Sequence, residues 1–432
     1  MQNFYKVLLN TLVANVTSSF LWFALTFWIY LETKNVMATA IVGGAYMFMV
    51  ALCSLVFGLI VDRNKKKRVM VLSSTITLVA YVLAGIGFLL QPTENIATIS
   101  HWAFWMFALL ILAGGVVENM RNIALSTTVT LLAPKESRDK ANGMVGTVQG
   151  VAFMVTSVFS GLSIGLLGMG WTLVIAIVLT TIALLHLLVT VQIPEAEIVH
   201  DSEIDNKRID IRGSLATVRQ VPGLLALMLF STFNNLIGGV FMALMDPYGL
   251  TIFSVEWWGT VLGITSTGFV VGGLLVAKKG LGKNPLRTML LLMVAMSVLG
   301  MLFTIREWWW LYVVGIFLYM CLIPAVEASE QTILQRVVPL KRQGRVFGLA
   351  QALESCASPI SAFLIGPLAQ YWLIPYMQSG TGRMRWSWLL GTGQARGIAF
   401  VFVLASLLML ALVLLAFRTK AYRQLGDHYQ KA

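Results

Sequence analysis

Charge is what this chain has least of. Asp, Glu, Lys and Arg make up 12% of its 432 residues, where a water-soluble domain carries roughly a quarter. So few charges cannot cover a soluble surface, so a soluble globule is excluded. The three cysteines, Cys53, Cys321 and Cys356, each sit inside an apolar run and show no metal or disulfide spacing. The four histidines, His101, His186, His200 and His428, are scattered, which argues against a clustered metal centre. No Walker A stretch is present, so ATP is not expected to drive the protein. No nucleophile triad appears either, so an enzyme is not expected, and no cofactor is.

What the chain has in quantity is apolar length. Hydrophobic residues make up 58% of it. About 20 apolar residues span a hydrocarbon core as helix, and alternating barrel strands are absent. We read twelve spans: Val7 to Tyr30, Met37 to Val61, Val69 to Leu90, Trp102 to about Leu125, Met144 to Leu167, Trp171 to Val191, Leu224 to Met245, Trp257 to Ala277, Thr288 to Thr304, Trp309 to Ala328, Val346 to Leu373, and Gly397 to Phe417. The first is too long for a signal-peptide core and reads as a retained helix. The expected fold class is all-α integral membrane.

The net charge of +12 is a matter of sidedness rather than of nucleic acid. Lys and Arg crowd the loops after spans 2, 4, 6, 8 and 10 and the C-terminal tail. The opposite side holds only Lys34, Arg306, Arg383, Arg385 and Arg396, and Arg121 lies within a span. Positive loops stay inside, so both termini are expected in the cytoplasm, with the basic excess facing anionic lipid.

Residues 194–221 form the longest polar stretch and carry six acids, Glu195, Glu197, Asp201, Glu203, Asp205 and Asp210. They read as a solvated linker, amphipathic near Ile211 to Val218, between a six-helix half at 1–193 and another at 222–432. The halves echo each other. Gly143 follows Pro134 by nine residues, as Gly348 follows Pro339, and the same offset carries Gly161 onto Gly366. Gly58 is followed by Asp62 and Arg63. Gly273 is followed by Ala277, Lys278 and Lys279, a faded copy. Such pairs mark an internal repeat.

The chemistry-bearing residues are few. Span 4 holds Glu118, Asn119, Arg121 and Asn122. Glu118 and Arg121 share a helical face and can neutralise each other, yet an ionisable residue inside a span is a functional candidate in its own right. Spans 10 and 11 hold Glu327, Glu330 and Glu354, with no mid-span cation in the same half. Glu327 is read as the deepest of the three along its span, and the alternative role of Glu330 and Glu354 is pairing with Arg336, Arg342 or Arg345 at the inner face. Asp246, before Pro247, is expected to end span 7. Asn15, Ser19 and Trp22 in span 1, and Asn234 and Asn235 in span 7, set polar groups among aromatics, which suits either an amphipathic cargo or interhelical hydrogen bonds. Most of the tryptophans lie at span ends as an interfacial belt.

The loop Gly58-Leu59-Ile60-Val61-Asp62-Arg63-Asn64-Lys65-Lys66-Lys67-Arg68 closes span 2. Ala133-Pro134 leads to Ala141-Asn142-Gly143, and Gln335-Arg336-Val337-Val338-Pro339 leads to Gly344-Arg345-Val346-Phe347. On these residues the chain resembles the major facilitator superfamily of secondary transporters, closest to the bacterial drug-exporter branch with macrolide efflux proteins and siderophore exporters. The resemblance implies two six-helix pseudo-repeats and a gating motif of Gly58, Asp62, Arg63, Lys66 and Lys67, with Lys65 where the family usually has glycine. It makes Arg121 the helix-4 arginine typical of proton-coupled drug antiporters, without their glycine four residues on and without the usual Gly-Pro pair of span 5. Proton coupling is expected through Glu118, Arg121, Glu327, Glu330 and Glu354, and the resemblance places spans 1 and 7 at a central cavity, expected to be lined by Asn15, Ser19, Trp22, Asn119, Asn122, Asn234 and Asn235. The expected function is export of amphipathic or lipophilic organic compounds by proton antiport, as a monomer in a bacterial cell membrane. The alternative is a proton-coupled importer of a small metabolite. A membrane enzyme or receptor would need a catalytic cluster or an extramembrane domain, and the loops are too short for either.

Overall fold

The computed structural model describes residues 2–33, 36–195, 211–253, 255–391 and 395–431. Helix is the only extended element among them. The long helices are α1 (Gln2–Thr33), α2 (Val36–Arg63), α3 (Lys66–Leu90), α5 (Trp102–Leu132), α6 (Arg138–Val189), α8 (Leu224–Ile252), α9 (Val255–Lys279), α10 (Pro285–Leu302), α11 (Trp309–Val337), α12 (Leu340–Leu368) and α15 (Arg396–Arg418). Shorter ones are α4 (Thr93–Ala97), α7 (Ile211–Gln220), α13 (Ile374–Gln378), α14 (Gly380–Leu390) and α16 (Lys420–Lys431).

Ten of these are long and apolar enough to cross a membrane, and two local features carry that to twelve spans. The 52-residue α6 breaks at Gly168, where φ is 77° and ψ 175°, so spans 5 and 6 are one element with a sharp reversal. The eleventh span, α12, begins with Lys341, Arg342 and Arg345 and carries Glu354, which lowers its apolar character without shortening it. Other ends also shift. α11 continues past Ala328 to Val337, taking Glu330 into the helix, and α8 runs through Pro247 to Ile252 rather than ending at Asp246. Asp246 instead accepts a 2.9 Å bond from the Trp258 indole. The amphipathic linker end expected near Ile211 is α7.

The chain forms two compact units. The first comprises Met1–Ala141, Val151–Leu215 and Val338–Ala352; the second comprises Asn142–Gly150, Ala216–Val337 and Leu353–Ala432. The start of α6 thus belongs with the second unit, and the first half of α12 with the first.

Each unit is held by close packing, since lipid offers no hydrophobic contrast to drive helices together. In the first, Leu21, Leu25, Trp28, Tyr81, Phe104 and Phe107 form one buried cluster, with Trp28 and Phe107 edge-to-face at 5.4 Å. In the second, Phe241 stacks on Phe402 at 4.9 Å, and Tyr248, Phe303, Tyr312 and Trp258 extend the stack. Aromatic pairs contribute about 0.5–1.5 kcal/mol each beyond burial.

Candidate functional site

In the first unit α2 and α12 cross with almost no space between them. A Cβ on Gly58 would strike the Gly344 carbonyl, and one on Gly344 would reach Asp62 Oδ1 at 2.5 Å. Only glycine permits this approach. The buried Asp62 carboxylate accepts the Gly344 N–H at 2.6 Å and the Arg345 N–H at 2.9 Å, and Arg345 Nε lies 3.6 Å from Oδ2. An anion near the positive end of a helix is favoured by the dipole as well as by the bonds.

The basic residues of the loop do something else. The Lys66 backbone N–H, at the start of α3, donates to Glu195 Oε2 at 2.8 Å, and its ammonium lies 3.2 Å from Glu195 Oε1. The same ammonium donates to the Val61 and Asn64 carbonyls, and Lys67 to the Leu188 carbonyl. Glu195 is therefore not the solvated linker acid expected from the sequence, because it satisfies the exposed amide end of α3. The other five linker acids lie outside the described residues. Arg63 is half-buried. Lys65 has φ −58° and ψ 131°, an ordinary backbone conformation, so no glycine is needed there.

The second unit has a related crossing. Cβ atoms on Gly143 and Gly273 would strike Ala277 and Thr147 respectively. Ala277 stands here where the first crossing has Asp62, and a pair of amides joins α6 to α11. Asn142 Nδ2 donates to Gln335 Oε1 at 2.9 Å and to Thr332 Oγ1 at 2.9 Å, and Gln335 Nε2 returns a bond to Asn142 Oδ1 at 3.2 Å.

Glu118 and Arg121 lie inside the first unit among α1, α3, α5 and α6. Arg121 is fully buried and Glu118 is 5% exposed. Glu118 Oε1 is 3.5 Å from Arg121 Nε, and Ser73 donates to Oε2. Arg121 also donates to Ser74 Oγ at 3.0 Å and to Asn10 Oδ1, while Asn10 Nδ2 meets the Ala183 carbonyl and His186 Nδ1. A cavity of about 10 Å³ lined by Thr17, Ser18, Ser74, Thr77 and Tyr81 adjoins Glu118, the room of about one water.

One residue away the helix turns another face. Asn119 Oδ1 accepts from Gln351 Nε2 at 2.8 Å, and Asn119 Nδ2 donates to the Tyr46 hydroxyl at 3.4 Å. Tyr46 stacks on Trp22 with ring centroids 4.4 Å apart. Asn15, Ser19, Trp22, Asn119 and Asn122 are all half-buried, unlike the sealed Asn10 and Thr17. So are Asn234 and Asn235 in the second unit, Asn235 donating to the Ser231 carbonyl.

The three acids of the second unit divide. Glu330 is 9% exposed and stands beside Ser231 and Glu354; its Oε1 and the Ser231 Oγ are buried without a hydrogen-bond partner among the described residues. Glu327, the third acid, is exposed. Three residues of helix rotate the side chain by about 60°, enough to bury Glu330 while opening Glu327. No described cation faces any of the three.

Residues 7–362 match the sequence model of the Major Facilitator Superfamily. The chain belongs to this superfamily. Among its relatives in it, macrolide efflux protein A of Streptococcus pyogenes is 23% identical over 372 residues, covering 84% of this chain and 88% of the relative. The Enterococcus faecalis protein of the same name is 24% identical over 314 residues, covering 70% and 92%. The fold is shared with an outward-facing bacterial homologue of the iron transporter ferroportin (TM-score 0.68, 15% identity, 95% and 98% of the two chains). It is shared also with a proton:xylose symporter (TM-score 0.65, 12% identity, 95% and 96%). This major facilitator protein is a multi-pass membrane transporter and not an enzyme.

Sequence reasoning missed Asn10, Tyr46 and Gln351, took Glu195 for a solvated acid, and gave Asn142 and Gln335 no role. The two last stood in quoted family motifs, so their pairing was within reach. The others meet their partners across long sequence separations and had no local signal.

Proposed function

We propose that the chain exports amphipathic or lipophilic organic compounds in exchange for protons, by alternating access, with both termini in the cytoplasm. The observation that carries this reading is the acid group of the second unit: a buried Glu330 beside Glu354 and an exposed Glu327, with no described cation facing them. Acids inside a span are costly unless they have work to do. Here three carboxyls stand close together without a described cation, and Glu327 offers a site where proton and cargo can compete. The macrolide efflux relatives support the export direction and the organic cargo. Trp22, Tyr46 and the half-buried asparagines supply an aromatic and amide surface for it.

In this reading the Asp62 contacts hold α12 against α2 in one state and release it in the other. Asn119–Gln351 joins α5 to the same stretch of α12 and parts with it. Breaking both sets is the conformational step that a bound cargo must favour.

The test is a compound screen in everted vesicles carrying a pH-sensitive dye. Cargo added to energised vesicles should release protons and accumulate, starting with macrolides and lipophilic cations. Accumulation without any proton signal would reject antiport. A signal only with sugars or small metabolites would favour import.

A further inference from the structure

The C-terminal helix α16 is two-faced. Leu425 and Tyr429 are buried, while Lys420, Arg423, Gln424, Asp427, Gln430 and Lys431 are exposed. Its buried face is pinned at two points. Gly223, at the start of α8, has φ 81°, and a Cβ there would strike the Ala421 carbonyl and lie 2.9 Å from Leu425 Cβ. The Arg336 guanidinium, at the end of α11, sits 4.6 Å above the Tyr429 ring, a cation–π contact. The helix therefore lies fixed across the ends of α8, α11 and α15.

Beside it is an apolar groove lined by Ala226 and Phe230 of α8, Leu286 and Leu290 of α10, Ala416 of α15 and Tyr422 of α16. It encloses about 50 Å³, far below the roughly 300 Å³ at which whole small-molecule sites begin. It has room for part of a hydrocarbon chain and no more. Cations adjoin this lining in sequence: Arg287 follows Leu286, Arg418 and Lys420 flank the lining residue Thr419, and Arg423 follows Tyr422. All four are exposed, and no described ion pair includes any of them.

We propose that this groove is a binding site for an anionic phospholipid of the surrounding membrane. The phosphate sits among Arg287, Arg418, Lys420 and Arg423, and one acyl chain enters against Phe230 and Leu290. The occupant follows from the joining of two chemistries at one level. α10 begins and α15 ends here, where spanning helices meet the headgroup layer. A lipid alone among membrane components presents phosphate and hydrocarbon together at that depth. The site lies within the second unit and does not depend on which cargo is carried.

Native mass spectrometry of the full chain in neutral detergent tests this, with phosphatidylglycerol and phosphatidylcholine of the same chain length as probes. Phosphatidylglycerol should be retained at markedly lower concentration than phosphatidylcholine. The Arg418→Gln, Lys420→Gln, Arg423→Gln triple variant should weaken it about tenfold or more, since each cation near the surface adds an attraction of its own. Ala226→Trp, which fills the groove and leaves the cations, should also lower retention and remove its dependence on chain length. Unchanged melting of both variants without lipid shows that they fold. Equal retention of the two lipids by the unmodified protein would overturn the proposal. So would a triple variant that keeps the preference, or displacement of the lipid by inorganic phosphate at comparable concentration.

Discussion

At the scale of single residues, Asp62 and Glu118 of the first unit do opposite things. Asp62 reaches from α2 to the backbone of α12, and its two N–H bonds are to a charged group, each worth about 1.5–3 kcal/mol. Asp62→Asn keeps the shape, loses the charge and turns one acceptor into a donor. Turnover in proteoliposomes at matched protein should fall about tenfold, the effect of roughly 1.4 kcal/mol on one step, with membrane insertion unchanged. Equal turnover would remove Asp62 from the gate. Glu118 makes its bonds within one bundle, to Arg121 and Ser73. Removing one member of a buried pair costs about 3–5 kcal/mol because the other charge is left alone. Glu118→Gln and Arg121→Gln should each lower the melting temperature in detergent, and the double variant should recover most of the loss. The transport readout then decides the role. If Glu118 carries the proton, the double variant stays unable to accumulate cargo against its gradient; recovered accumulation leaves Glu118 as a partner of Arg121 alone.

At the scale of elements, hydropathy made the spans legible because about 20 apolar residues have few other uses. The ends were less so. Helices run on into polar sequence where a neighbour covers them, as α11 does to Val337. The tight crossing of α2 and α12 was readable from Gly58 and the Asp62 spacing, since glycine and an acid one turn apart have a local signature. The reversal inside α6 was readable only as a gap between two runs. Its cause is Gly168, at φ 77° and ψ 175°, a region that is essentially glycine-only and costs other residues about 1–3 kcal/mol. Gly168→Ala should therefore reduce the yield of folded protein and lower its melting temperature, while Gly165→Ala, with open space at its Cβ, should do neither. Similar losses from both would show general intolerance of α6 to substitution rather than strain at the turn. The helix α16 escaped sequence reading because its partners, Gly223 and Arg336, are distant in the chain and only packing reveals them.

At the scale of the whole molecule, the superfamily was legible from a handful of loop residues, whereas the division of labour among the acids was not. Glu118, Glu327, Glu330 and Glu354 look alike in sequence, each an acid in an apolar run. What separates them is the angle at which each leaves its helix. Glu118 turns into its own bundle and Glu330 toward Ser231 and Glu354, and Glu327 is left exposed. A lone acid in a span is held away from lipid, and Glu330 stands three residues along the same helix. Either a proton or an organic cation relieves that arrangement, and one excludes the other, so the proposed antiport would reduce to competition for a single carboxyl. Glu327→Gln should therefore weaken export of a lipophilic cation about tenfold or more, the scale of one lost charge contact of roughly 1.4 kcal/mol. A neutral compound of matched shape should change little. In the unmodified protein, cation binding should strengthen as pH rises from mildly acidic to mildly alkaline, because fewer protons compete; in the glutamine variant it should be flat. Paired binding measurements across that pH range decide the matter. An equal loss for cation and neutral compound, or a pH-independent cation affinity before mutation, would move the competition away from Glu327 and onto the neighbouring Glu330 and Glu354.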